Sequence, residues 1–254
     1  MINVVLIGSG KVAYHLHKAM LNASGVALKQ IVARSSQALR DFEASVPTAD
    51  LNGAIKEADV YVLAVSDRAI AEVARQLPKR DALYVHTSGA TDLEALGIHQ
   101  RTGVLYPLQT FSKKRPVDFH SVPLILEVGH QKDLSMLEDL ANALSETVLK
   151  LTAAQRKQLH LAAVFANNFT NHMVALGEEI CRKQGVQKEL LRPLLQETWA
   201  KLETLSAAQA QTGPARRGDR RTQEAHLRWL KDPEKEELYK LISHSIAKTY
   251  DQEL

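Results

Sequence analysis

Cysteine is almost absent from this sequence: Cys181 is the only one among 254 residues. A single cysteine excludes a disulfide within the chain, and such sparing use is typical of the reducing cytoplasm. No apolar run reaches the roughly 20 residues that a membrane-spanning helix requires. Met1 leads directly into an apolar strand pattern without a basic segment, so we expect neither a secretory signal nor a membrane partner.

The sequence also has little net charge, only +3, and its basic residues are scattered except for the run from Arg216 to Arg221. That run has no aromatic residues beside it, so we do not expect a nucleic-acid partner. The histidines are spread along the chain, and no metal site is predicted. Apolar residues make up 45% and charged residues 24%, which is typical of a globular protein with room for two domains.

Residues 1–151 alternate between short apolar runs and amphipathic segments. The run Val60–Val65 is apolar throughout, which indicates a strand buried on both faces, as in a parallel sheet. The alternation predicts an α/β domain with a Rossmann-like, doubly wound parallel sheet. The predicted strands are Val4–Ile7, Leu28–Ala33, Val60–Val65, Leu83–His86, Val104–Tyr106, Leu124–Val128 and Thr147–Leu151, and the predicted helices are Lys11–Ala23, Gln37–Ala44, Asp67–Gln76 and Asp133–Ser145.

The pattern changes after Thr152, where no further strand signal follows. We therefore predict an all-α C-terminal domain over residues 152–254. No flexible linker separates it from the first domain, so we expect the two domains to pack together. The predicted helices are Ala153–Gln184, Lys188–Ala207, about Thr222–Leu230 and Pro233–Tyr250, of which the last starts with an Asp-Pro capping pair.

The most specific motif joins the first predicted strand to the first helix. Gly8-x-Gly10-x-x-Ala13 follows the strand at once, and a second strand comes at the distance expected of a dinucleotide-binding fold. Gly8 would allow the tight turn, Gly10 the approach of a pyrophosphate, and Ala13 close packing of helix on strand. Free N–H groups at the helix start would bind phosphate oxygens. The predicted phosphate-binding residues are Gly8, Ser9, Gly10, Lys11 and Val12.

The end of the second predicted strand distinguishes NAD from NADP. NAD sites carry Asp or Glu there to bond the ribose 2′-hydroxyl, whereas this chain has Arg34, Ser35 and Ser36. An acid would repel a 2′-phosphate, while a guanidinium and two hydroxyls would bind it. We therefore predict NADP as the cofactor. The alternative is that Arg34 is an ordinary surface arginine.

Two further loops follow strands at the edge where α/β sheets bind ligands. Val65 and Ser66 are predicted to line the cofactor, although the simpler expectation is that Ser66 and Asp67 cap the next helix. In the second loop, His86 could donate a proton if its pKa is near the working pH, and Ser88 could hold a substrate carboxylate or carbonyl. The alternative is that this loop only satisfies turn hydrogen bonds.

The loop Tyr106–Phe111 and the long predicted helix supply the remaining candidates. Gln109 could bind substrate, or its loop could be a packed connection. His160, Asn167 and Asn171 share one face of a regular helix, and asparagines are costly there, which favours function over mere stability. We predict His160 and Asn167 as catalytic and Asn171 as substrate-binding. The alternative is hydrogen bonding between helices, domains or subunits.

Taken together, these motifs resemble NADP oxidoreductases with an N-terminal Rossmann-like domain and a C-terminal helical domain of unknown function. The first domain is similar to those of pyrroline-5-carboxylate reductases and deazaflavin-dependent NADP oxidoreductases. The resemblance covers the whole chain and implies NADP, a reductase role and a homodimer formed through the helical domain. Its segments are Ile7–Leu16, His86–Ala90, Tyr106–Phe111, Leu159–His172 and Gln211–Asp219.

One departure concerns the long helix, where related β-hydroxyacid dehydrogenases carry a lysine and an asparagine. This helix has no Lys-x-x-x-Asn, and His160 would stand in for the lysine, which argues against hydroxyacid specificity. We therefore predict a cytoplasmic NADP-dependent oxidoreductase that transfers a hydride between NADPH and a small imine or carbonyl compound. The alternative is a non-catalytic NADP-binding redox sensor, because a fold alone does not establish catalysis.

Overall fold

The computed structural model describes residues 1–42 and 46–250, apart from the side chain of Ser36. The chain divides into two compact units, Met1–His172 and Met173–Leu254. The predicted domain boundary lies earlier, after residue 151, and stays a prediction. The predicted helix Gln37–Ala44 runs beyond the described residues, and its described part contains a 3-10 turn over Ser36–Leu39.

An eight-stranded sheet forms the centre of the first unit, in the order β3-β2-β1-β4-β5-β6-β7-β8. Its strands are β1 Ile2–Ile7, β2 Val26–Ala33, β3 Thr48–Asp50, β4 Val60–Leu63, β5 Leu83–His86, β6 Thr102–Pro107, β7 Leu124–Val128 and β8 Val148–Lys150. All the predicted strands are present, and only the short β3 was not predicted. Neighbouring strands from β3 to β6 are parallel, whereas β7 runs antiparallel to β6 and parallel to β8.

Alternating side chains of the central strands build a core on each face of the sheet. Val4 and Leu6 belong to one apolar cluster, and Val5 and Ile7 to another on the opposite face. All four are at most 1% exposed, which agrees with a strand covered on both sides. The predicted Rossmann-like fold class is therefore confirmed.

The parallel strands end in register along one edge of the sheet, here called the carboxyl edge. Ile7 of β1 pairs with Val32 and Leu63 of the neighbouring strands, and Leu63 pairs with His86. In open α/β sheets, ligands bind beyond this edge. The helices of the first unit are α1 Lys11–Asn22, α2 Ile70–Gln76, α3 Leu134–Asn142 and α4 Ala153–Ala163.

The long helix predicted from residue 153 is not uniform. α4 passes into a π-helical segment, Val164–Phe169, before α5, Thr170–Lys183. Because a π turn holds more residues than an α turn, it changes the angular register of the side chains that follow it. The prediction that His160, Asn167 and Asn171 lie on one face assumed regular α geometry throughout, whereas Asn167 lies in the π-helical segment and Asn171 lies after it.

Over residues 173–250, the regular structure of the second unit is helical, as predicted. Its remaining helices are α6 Arg192–Thr204, α7 Ala207–Ala210, α8 Arg220–Trp229 and α9 Pro233–Tyr250. Among its described residues only Ala215 and Tyr250 are buried. In the part of the chain that the structure describes, no helix has the length and hydropathy to span a membrane.

Candidate active site

A cavity of about 410 Å³ opens at the carboxyl ends of β1, β2 and β4. Three separate loops contribute to its wall, and they are the loops that the sequence singles out for the cofactor. The predicted residues that line it are Gly8, Ser9, Gly10, Lys11, Val12, Arg34, Val65 and Ser66. Ser35 is not among the lining residues, and the side chain of Ser36 lies outside the described residues.

The two glycines of the fingerprint meet different requirements. Gly8 has a φ of +135°, and a Cβ on it would lie 2.2 Å from the carbonyl oxygen of Ala64. Glycine is therefore required there by the backbone itself. Gly10 has a φ of −76°, and a Cβ on it would meet no atom within 4 Å. The space in front of Gly10 is thus open to a ligand.

The start of α1 leaves its backbone N–H groups available to an anion. Gly10 is the N-cap residue, no side chain in the described part of the chain caps the helix, and its first turn holds no acidic residue. Ser66 likewise precedes a turn without capping it through its side chain, so the expectation of a simple cap is wrong. The cavity therefore offers free backbone donors and a free hydroxyl to phosphate oxygens.

Arg34 is exposed at this cavity and makes no hydrogen bond or ion pair within residues 1–42 and 46–250. Among the described residues of the lining there is no acidic side chain, and Lys11 adds a second positive charge. A carboxylate at this place would compete with a 2′-phosphate, whereas an unpaired guanidinium can bind it with charge-assisted hydrogen bonds. The residues present therefore fit NADP.

A second group of polar side chains lies farther along the carboxyl edge, past β5. The hydroxyl of Tyr106 is 3.0 Å from Nδ1 of His160, and Tyr106 is 9% exposed. Tyr106 lies two positions beyond Val104, the residue with which His86 pairs at the end of β5. Gly89 packs against both side chains, since a Cβ on it would lie 2.7 Å from each. The pairing of Tyr106 with His160 was not predicted.

Arg156 lies one helical turn before His160 and is completely buried. Its guanidinium donates to Glu127 Oε2 at 2.9 Å, to the carbonyl of Ser88 at 3.2 Å and to that of Gly89 at 2.9 Å. Its Nη2 has no partner within the described residues. Sequence reasoning missed this residue because an arginine in an amphipathic helix is ordinarily solvent-facing.

His86 is completely buried at the end of β5. Burial lowers its pKa to about 4, and the nearby positive charge of Arg156 acts in the same direction, against a smaller opposing effect of Asp92. The expectation that His86 titrates near the working pH is therefore wrong. Its Nδ1 accepts the backbone N–H of Ser88 at 3.2 Å, so the imidazole orders the following loop.

The other predicted residues lie in simpler surroundings. The hydroxyl of Ser88 accepts the backbone N–H groups of Ala90 and Thr91, as the turn alternative expected. Gln109 is exposed, and its Oε1 accepts the N–H of the next residue at 2.8 Å. Asn167 and Asn171 are exposed, and their side chains make no hydrogen bond within the described residues. Their roles toward substrate stay predictions.

Two family models match the chain. Residues 3–88 match a domain described as NADP oxidoreductase, coenzyme F420-dependent, and residues 122–246 match a domain of unknown function, DUF2520. None of the curated proteins compared with the chain matches it.

Solved structures match over nearly the full length of the chain. A Bacteroides fragilis protein assigned as an NADP oxidoreductase is 36% identical, with a TM-score of 0.89 over 97% of this chain and 98% of its own. The pyrroline-5-carboxylate reductase of Streptococcus pyogenes is 16% identical, with a TM-score of 0.63 over 99% and 97%. An imine reductase variant from Myxococcus stipitatus is 17% identical, with a TM-score of 0.58 over 99% and 94%.

The latter two likenesses show the shared fold alone, whereas the first is close enough to show the family. It agrees with the N-terminal family match and with the unpaired Arg34 at the cavity. The chain therefore belongs to the NADP oxidoreductases that pair a Rossmann-like N-terminal domain with a helical C-terminal domain, and its cofactor is NADP.

Proposed function

We propose that this protein reduces the C=N or C=O bond of a small molecule at the carboxyl edge of its sheet. The observation that carries the proposal is the order of groups along that edge. The cofactor cavity lies at the ends of β1, β2 and β4, and the pair formed by buried Tyr106 and half-buried His160 follows at the ends of β5 and β6. Bound NADPH supplies the hydride, and the protein supplies orientation and a proton.

An imine is the favoured substrate class. The folds of a pyrroline-5-carboxylate reductase and an imine reductase resemble this chain over nearly their full lengths. Fold likeness does not by itself establish an activity, so the proposal also rests on the side chains of Tyr106 and His160 beside Gly89. A phenol and an imidazole can protonate the nitrogen of a reduced C=N bond, and also the oxygen of a reduced C=O bond. The preference for an imine over a carbonyl compound therefore rests on the likeness in fold.

The predicted residues take different roles in this proposal. His160 remains a proton-transfer residue because it hydrogen-bonds to Tyr106 at the edge of the site. His86 is buried and neutral near pH 7, so it acts by ordering the Ser88 loop and not as an acid. Ser88, Gln109, Asn167 and Asn171 remain candidate contacts for the substrate.

The second unit favours a homodimer. Its described residues include only two buried ones, although it carries Leu190, Leu194 and Trp229 at 67%, 63% and 72% exposure. Helices without a shared core need another surface to cover their apolar side chains. A second copy of the chain brings the same unpaired surface, which is what a two-fold interface requires. A cytoplasmic location accords with the single free cysteine, Cys181.

Calorimetry and a turnover screen test the reductase proposal. NADPH should bind at least tenfold more tightly than NADH, and NADPH oxidation should be measurable with one member of a panel of cyclic imines, ketones and 2-oxoacids. Equal affinity for the two cofactors would contradict the role of Arg34. Tight NADPH binding without turnover of any compound in the panel would favour the non-catalytic sensor.

A further inference from the structure

We infer that the hydroxyl of Tyr106 delivers the proton to the substrate, with His160 as its proton source and Arg156 as the residue that positions the pair. This inference rests on the proposed reductase function and adds a catalytic tyrosine to it. The inference is based on one connected set of contacts. Arg156 binds Glu127 and the carbonyl of Gly89, and Gly89 packs against the hydrogen-bonded side chains of Tyr106 and His160.

The phenol is placed where a substrate would meet it. Tyr106 extends two residues beyond the pairing of His86 with Val104, so its side chain belongs to the carboxyl edge and not to the centre of the sheet. The negative charge of Asp67, next to Ser66 of the cofactor cavity, is close enough to act on the Tyr106 phenol. The Tyr106 hydroxyl therefore contacts α4 through His160 and is within electrostatic range of a residue beside the cofactor cavity.

The proton balance follows from the Tyr106–His160 hydrogen bond. When a hydride adds to the carbon of C=N, the π electron pair moves to nitrogen, which takes the proton from the Tyr106 hydroxyl. The O–H bond breaks and leaves a phenolate, which takes the proton on Nδ1 of a protonated His160, 3.0 Å away. The neutral imidazole is then protonated again from water. The substrate gains one hydride and one proton, and the protein returns to its starting state.

Arg156 assists this step without touching the substrate. Its guanidinium binds the carbonyls of Ser88 and Gly89 and so fixes the segment that packs against Tyr106 and His160. Its positive charge lowers the pKa of Tyr106, against the larger effects of burial and Asp67, which raise it. A buried cation beside the phenol also stabilises the transient phenolate.

Other groups at the carboxyl edge are less suited to donate the proton. His86 is neutral near pH 7 because burial lowers its pKa to about 4. The hydroxyl of Ser88, which accepts two backbone N–H groups of its own turn, is an aliphatic alcohol and a weaker acid than the phenol of Tyr106. Asn167 and Asn171 carry amides, which do not give up protons near neutral pH.

The experiment compares the full-length protein with Tyr106→Phe, His160→Gln and Gly89→Ala, using pyrroline-5-carboxylate, cyclohexanone and pyruvate as probes. Tyr239→Phe is the matched control, because Tyr239 makes a 2.9 Å hydrogen bond to Nδ1 of His226 in the second unit. General acids contribute about 100-fold or more to rate, so Tyr106→Phe should lower kcat by about that factor. Its affinity for NADPH by calorimetry and its KM should stay within about threefold of the wild type.

Gly89→Ala tests the pair without removing either group. The new Cβ would lie 2.7 Å from both Nδ1 of His160 and the ring of Tyr106, so it should separate them and lower kcat with little effect on NADPH binding. In ligand-free protein, the ring nitrogen chemical shifts of His160 in NMR spectra should change in the same way in Tyr106→Phe and in Gly89→Ala.

The Arg156 variants test the positioning role through the pH dependence of kcat. Arg156→Met should move the alkaline limb of that dependence to higher pH, and Arg156→Lys should restore it.

Three distinguishable results would overturn the inference. If the wild type oxidises NADPH with a probe and Tyr106→Phe retains kcat within about threefold, the tyrosine is not the proton donor while the reductase function stands. If the wild type oxidises NADPH with none of the probes, the reductase function and the inference both fail. A lower kcat in Tyr239→Phe equal to that of Tyr106→Phe would also reject a specific role for Tyr106.

Discussion

Gly8 and Ala64 approach so closely that a side chain on Gly8 would begin 2.2 Å from the carbonyl oxygen of Ala64. Gly8→Ala should therefore lose about 1–3 kcal/mol of unfolding free energy, because the left-handed φ of +135° adds strain to the clash. Gly10→Ala should unfold like the wild type, since its Cβ meets open space, yet bind NADPH at least tenfold more weakly. Urea denaturation and calorimetry on both variants check this contrast. Unchanged NADPH affinity in Gly10→Ala would show that no phosphate approaches that residue.

Arg34 should carry most of the preference for NADPH over NADH. A charge-assisted hydrogen bond contributes about 1.5–3 kcal/mol, so Arg34→Ala should weaken NADPH binding by about 10- to 100-fold and leave NADH binding nearly unchanged. Arg75→Ala is the control, because Arg75 is an exposed arginine of α2 that does not line the cavity. Calorimetry with both cofactors checks the prediction. An equal loss of affinity for NADPH and NADH would mean that Arg34 does not bind the 2′-phosphate.

The Arg156–Glu127 ion pair should matter greatly to stability when only one partner is removed. Arg156→Met leaves a largely buried carboxylate without its cation and should lower the unfolding free energy by about 3–5 kcal/mol. Adding Glu127→Leu to that variant should recover part of the loss. Lys150→Ala removes the exposed pair with Glu138 and should cost less than about 1 kcal/mol. Urea denaturation measures the unfolding free energy of these three variants. A double variant that is no more stable than Arg156→Met alone would contradict this prediction.

Acid should destabilise the protein through His86. Its pKa is about 4 when folded and 6.5 in the unfolded chain, so the unfolded state binds the proton more readily. The contribution of neutral His86 is complete above about pH 6.5 and is lost as the pH falls toward 4, to a total of about 3 kcal/mol. Between pH 6.5 and 4, His86→Asn should therefore lose less unfolding free energy than the wild type. His172 is exposed, so His172→Asn is the control and should follow the wild type. Parallel curves for His86→Asn and the wild type would reject this assignment.

The exposed apolar side chains of the second unit should hold two copies together. Leu190→Glu combined with Leu194→Glu would place charges among residues that are more than 60% exposed in the single chain. We expect light scattering to give a dimer for the wild type and at least a tenfold weaker association for this variant. Leu149→Glu in β8, at 48% exposure, is the control in the first unit and should remain dimeric. A monomeric wild type at micromolar concentration would contradict the proposal.

Local sequence patterns were sufficient to predict most of the fold, because most of its strands and helices are specified by residues that are neighbours in sequence. The apolar run of β4 and the glycine spacing after β1 determine their elements almost alone. β3 was missed because Thr48–Asp50 is only three residues long and partly exposed, so it has no hydrophobic period to detect. The π segment was missed because helix periodicity assumes a constant number of residues per turn.

The candidate site shows the limit of that reasoning more sharply. The cofactor cavity could be predicted, since its loops follow strands whose order the fold class implies. The Tyr106–His160 pair joins residues 54 positions apart, and Arg156 reaches carbonyls 67 and 68 positions away. Nothing in a local pattern specifies which side chains such distances bring together. The low pKa of His86 likewise follows from its burial, which its motif does not reveal.

The reversal of direction between β6 and β7 has a consequence for how this scaffold can change. Because β7 is antiparallel to β6, the connection from residue 108 to residue 123 leaves and re-enters the sheet at the carboxyl edge. Phe111, Phe119 and Val122 of this connection are buried in the core, whereas residues 114–116 are exposed. New sequence inserted or grafted at 114–116 would therefore extend the protein at this edge without breaking a strand pairing or disturbing the core.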